Sequence, residues 1–147
     1  MMTSNEVLLN LQQSMVKAVL LGQPLPGHDQ PIRLADLEFV TRQPVIYLVD
    51  TNLASGFDLQ GLPQPLKPLK IVSPEALRQE AQQGADIAYL QFHVNEASES
   101  VVDLRLEARI VSADSQRGEL GLSSVQVKFM KQDDEWRAGD SPVYSAA

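Results

Sequence analysis

The chain has 147 residues, and a chain of that size buries about two-thirds of its unfolded surface, so residues 1–147 are expected to form a single α+β domain. Twelve basic against nineteen acidic side chains leave a formal charge of −7, which argues against a general nucleic-acid binder, whose basic face must release counterions from phosphate. The absence of cysteine excludes disulfides, thiolate chemistry and sulfur-bound zinc, and no apolar run nears the roughly 20 residues of a membrane span.

Met1 to Glu6 carry no basic region, and Asn10, Gln12, Gln13 and Lys17 interrupt the apolar stretch behind them. A secretory leader needs the opposite pattern, so a soluble cytoplasmic protein is expected. Leu8, Leu11, Met15, Val16, Val19 and Leu20 recur at three- and four-residue steps and predict an amphipathic helix from about Asn5 to Leu21. Thr3 and Glu6 have the spacing of a capping box at its start, and Gly22 with Pro24 and Pro26 stops it. Gln12, Gln13, Gln79, Gln82 and Gln83 read as solvated helix surface.

Ile32 to Val40 is compatible with a short helix or an edge strand. Val45 to Val49 is a β-branched apolar run and predicts a buried strand, closed by Asp50-Thr51-Asn52. Pro63, Pro65 and Pro68 favour polyproline II geometry. Leu69 to Val72 then predicts a brief strand, and Ser73-Pro74-Glu75 opens a short helix that Gly84 ends.

The second half alternates. Ala88, Leu90, Phe92 and Val94, then Val102, Leu104, Leu106, Ala108 and Ile110, then Val125, Val127 and Phe129 occupy every second position. Trp136 and Ala138 begin a last strand. Period-two patterning of this kind predicts an antiparallel meander with one dry and one wet face. Keeping the dry faces together requires an even residue sum across the first hairpin. A sum of 198 sets His93 opposite Arg105 and Tyr89 opposite Arg109; a sum of 196 sets His93 opposite Asp103. Across the second hairpin, sums of 231 or 235 bring Lys128 to Asp103 or Glu107 and are favoured on charge over 233, which brings it to Arg105.

The element order, together with a closing hairpin in which Val127-Lys128-Phe129 turns through Asp133-Asp134 into Trp136, resembles the cone-shaped α+β rolls of the nuclear-transport-factor-two-like, ketosteroid-isomerase-like and cystatin-like groups. The resemblance implies a curved antiparallel sheet of four to six strands, with the N-terminal helix and a short second helix packed on it. It also implies pairing of copies through the outer sheet face.

Three residues are candidates for acid–base chemistry. Asp50 ends a buried strand, where desolvation raises a carboxyl group's pKa; side-chain turns to backbone amides are the competing account. Tyr47 lies on that strand. His93 is on the wet face, and histidine is the side chain suited to proton transfer near neutrality. Asp86 shares the ambiguity of Asp50, and His28 has no second histidine at ligand spacing, so no metal site is expected. Pro65-Leu66-Lys67-Pro68-Leu69-Lys70 matches a proline-x-x-proline-x-basic ligand, although a rigid connector needs the same prolines. Arg105, Arg109 and Lys128 suggest an anion patch, but Asp103 and Glu107 interleave with them.

No phosphate loop, nucleophile elbow or metalloprotease motif is present. The expectation is therefore a binding or assembly module without a cofactor, acting as a homodimer. Its ligand or partner face comprises Tyr89, Gln91, His93, Arg105, Arg109 and Lys128, with Val101 and Val111 as further apolar contacts. The occupant is a second copy, another protein or a small apolar ligand, not nucleic acid or membrane. The alternative is an isomerase- or hydrolase-like enzyme with an acid–base pocket between helix and sheet.

Overall fold

The computed structural model describes residues 4–28, 32–58, 67–114, 118–139 and 142–146. Helix α1 spans Asn5–Leu21, as the apolar stripe predicts, and Leu11, Met15, Val16 and Val19 are buried. Its cap is Ser4 rather than Thr3: the Ser4 hydroxyl accepts from the Val7 N–H at 3.3 Å. Gly22 closes the helix at φ 71°, a left-handed conformation that glycine adopts without penalty, and donates to the Ala18 carbonyl. A five-residue helix α2, Leu37–Thr41, resolves the ambiguity of the next segment.

Strands β1 (Ile46–Val49) and β2 (Leu69–Val72) precede helix α3 (Pro74–Gln83), whose start is capped by the Ser73 hydroxyl. The long strands β3 (Ile87–Ala97), β4 (Val101–Val111) and β5 (Glu119–Gln132) follow, then β6 (Glu135–Ala138) and β7 (Val143–Ala146). They build one curved, open sheet of order β2-β1-β3-β4-β5-β6, with β7 also paired to β5. The class is α+β. First-hairpin pairs such as His93–Arg105 and Tyr89–Arg109 follow the sum of 198, with a shift after Val94. Asp103 faces Lys128 across the second hairpin, the sum of 231.

The sheet is mixed, which corrects the expectation of a purely antiparallel one. β1 lies parallel to both β2 and β3, because α3 carries the chain back over the sheet and a helical crossover returns the next strand in the same direction. The two long helices consequently cover opposite faces. The inner face joins α1 to Ile46, Leu48, Leu90, Phe92, Leu104, Leu106, Val127 and Phe129 in the main core. The outer face has a smaller cluster beneath α3, where Leu77 and Ala81 meet Val49, Val72, Ile87, Tyr89 and Val111.

That second layer overturns the placement of Tyr89 and Val111 on a solvated face: they are 1% and 2% exposed. Gln12 is a further correction, since it is 0% exposed rather than solvated. Of the proline motif, residues 65 and 66 lie outside the described residues. Its remainder joins the sheet: Pro68 accepts from the Ile46 N–H at 2.9 Å, and Leu69 and Lys70 belong to β2. Among the described residues, no helix is long and apolar enough to cross a membrane.

Candidate functional site

Beyond the end of α3, the outer face of β3, β4 and β5 is open, and strand alternation lines up polar side chains there. Arg109 starts a connected series. Its Nε donates to the Tyr89 hydroxyl at 3.0 Å, and one terminal nitrogen reaches Glu107 Oε1 at 3.1 Å. His93 Nε2 lies 2.8 Å from the same oxygen, and Glu119 stands 3.8 Å from the other end of the guanidinium. Burial acts against ionisation of Glu107, yet the hydrogen bonds and charges of His93 and Arg109 outweigh it and hold this carboxyl below its ordinary range. Arg109 is likewise penalised by burial, but Tyr89 and Glu107 raise its pKa. Burial raises the Tyr89 phenol against the opposing pull of Arg109.

A carboxylate whose folded pKa is depressed contributes stability at pH values above its unfolded range and loses that contribution as pH falls through the folded value. Glu107→Gln is therefore expected to destabilise the chain at neutral pH, and the difference from wild type should shrink towards about pH 3. Denaturant titrations at both pH values read this directly. A difference independent of pH means that the ion pairs contribute nothing.

Further along the face, Asp103 accepts from Gln126 Nε2 with both oxygens at 3.0 Å, and Lys128 is exposed opposite Asp103. Arg105 lies between them and Glu107. Its Nε is buried and has no hydrogen-bond partner among the described residues. Beside it, a cleft of about 130 Å³ is lined by Arg105, Glu107, Gly121, Ser124 and Ser145, among others. A second cleft, about 140 Å³, lies at the α3 margin between Pro74, Arg78, Tyr89, Gln91 and Glu119.

The acid–base candidates occupy separate settings. The Tyr47 hydroxyl donates to Glu80 of α3 at 2.8 Å, and partial burial together with that carboxylate raises its pKa. Asp50 is exposed at the end of β1, its N–H donating to the Val72 carbonyl. His93 is engaged with Glu107. A cleft between α1 and the sheet does exist, about 210 Å³ beside Val7, Asn10, Leu11, Ser14, Pro26 and Trp136, but none of the three candidates lines it. Among the described residues, no three His, Asp or Glu side chains gather as metal ligands do.

Pattern reading missed Gly121, Ser124 and Ser145. A strand glycine is a recognised sign of close approach, and here a Cβ on Gly121 would lie 2.7 Å from Glu107 Oε2. The serines gave no such signal, because their placement depends on a register shift in β5 and on the pairing of β7. Compared with protein-family models, curated proteins and solved structures, the chain matches none of them.

Proposed function

We propose that the chain is a non-catalytic binding module that pairs with a second copy of itself through the open part of the outer sheet face. The observation carrying this reading is two large apolar side chains exposed on that face, Met130 at 44% and Val143 at 55%. Register sets Met130 beside half-buried Val101, and Val143 beside Gln126. The same surface alternates in sign, with Lys128 opposite Asp103. A twofold contact brings the positive group of one copy onto the negative group of the other, with apolar side chains between them.

Light scattering at micromolar concentration is expected to give a dimer. Combining Met130→Glu with Val143→Glu should raise the dissociation constant by about tenfold or more, since both charges would be buried in the contact. A wild-type chain that stays strictly monomeric at that concentration overturns the pairing.

A further inference from the structure

The Arg105 cleft sits about 20 Å along β5 from Met130 but only about 7 Å along β7 from Val143, so it borders the proposed pairing surface. Its walls pair two unlike charges. Arg105 and Glu107 are two apart on β4, so both project from the outer face, roughly 6.6 Å apart at their Cα atoms. The guanidinium presents a planar fork that suits a carboxylate at its terminal nitrogens, while its Nε is buried and has no hydrogen-bond partner among the described residues. Glu107 is asymmetric. Its Oε1 takes both His93 and Arg109, whereas Oε2 takes neither and packs against Gly121, where a Cβ would lie 2.7 Å from it. Ser124 and Ser145 add hydroxyl groups to the wall.

We infer that this cleft binds a small α-amino acid, its carboxylate on the Arg105 guanidinium and its ammonium on Oε2 of Glu107. Neither half of that ligand suits the cleft alone. A multiply charged anion meets the ionised Glu107 and the chain's net charge of −7, and a simple amine meets Arg105. A zwitterion satisfies both. The volume of about 130 Å³, far below the roughly 300–1,000 Å³ of drug-sized sites, accommodates a ligand the size of glycine, alanine or serine. So small a ligand binds in the millimolar range.

This assignment rests on reading the outer face as a binding surface but does not need the second copy. The test is amide chemical-shift titration of the full chain with glycine, L-serine, acetate and methylammonium in turn. Saturable shifts confined to residues 105–107, 121–124 and 145 are expected with the two amino acids, and weaker ones with acetate or methylammonium. Arg105→Gln should weaken amino-acid binding by about tenfold or more. Arg105→Lys, which keeps the charge but not the fork, should weaken it several-fold while leaving the remaining spectrum intact.

The absence of saturation with either amino acid at about 50 mM, equal binding of acetate, or wild-type binding by both Arg105 variants overturns the assignment. A monomer that still gives the saturable shifts removes the pairing and keeps this site. A dimer without them, with the Met130→Glu/Val143→Glu chain silent as well, does the reverse.

Discussion

Gln12→Ala is expected to lower the unfolding free energy by about 3 kcal/mol, an effect out of proportion to a glutamine on a helix. The side chain is completely buried, and its amide acts as a two-pronged clamp. Nε2 donates to the Asn52 carbonyl at 2.9 Å, and Oε1 accepts from the Ala54 N–H at 2.8 Å. Asn52 in turn sits at φ 61° and donates from its side chain to the Phe92 carbonyl at 3.1 Å. The clamp thus ties α1 to the loop after β1, and the loop ties to β3. Alanine leaves the buried Ala54 N–H unsatisfied, at about 1–3 kcal/mol, strips the part-buried Asn52 carbonyl of its partner, and opens a void besides. Urea unfolding monitored by circular dichroism measures the loss. A change below about 1 kcal/mol means that water or a shifted loop satisfies both groups.

Phe92→Ala should cost about 3–5 kcal/mol. Phe92 is fully buried on the inner face of β3 opposite Leu106, within the cluster that α1 closes. β4 on one side and the Asn52 side chain on the other fix the surrounding backbone, so the site collapses poorly around a truncated side chain and most of the cavity remains. For a chain of this length the melting temperature should fall by about 6–20 °C, with Phe92→Leu producing a smaller drop. Differential scanning calorimetry of both variants checks the ranking. If leucine proves as damaging as alanine, shape rather than lost volume governs this position.

The parts of the fold that could be read from the chain are those governed by local rules. Leu90, Phe92, Leu104 and Val127 alternate because a pleated strand with one covered face requires it, and the match of charges narrowed Lys128 to Asp103 or Glu107, of which the structure has Asp103. The parallel pairing of β1 could not be read in this way, because it depends on where α3 crosses and not on any property of Tyr47 or Leu48. Tyr89 illustrates the same limit. Its alternation with Leu90 correctly places it on the outer face, but periodicity is silent on whether a helix lies over that face.

Gln12 is different, since the signal was present. It stands four residues after Leu8 and three before Met15, inside the apolar stripe, where a polar side chain calls for a buried partner. At the candidate site, Arg105, Glu107 and Arg109 were visible as a charged row. The cleft beside them was not, because Ser145 arrives from a four-residue strand too short to carry a pattern.

Both margins of the sheet are blunt. On one side stands β2, four residues long with Lys70 exposed on it; on the other, β6 and β7 run along β5 as separate four-residue pieces. Among the described residues, each of these two margins offers an incoming chain only a short ladder of donors and acceptors, a poor template for strand addition. Under the proposed pairing, self-association uses the broad side of the sheet instead, where a twofold contact is consumed once it forms and the assembly stops at a finite number of copies.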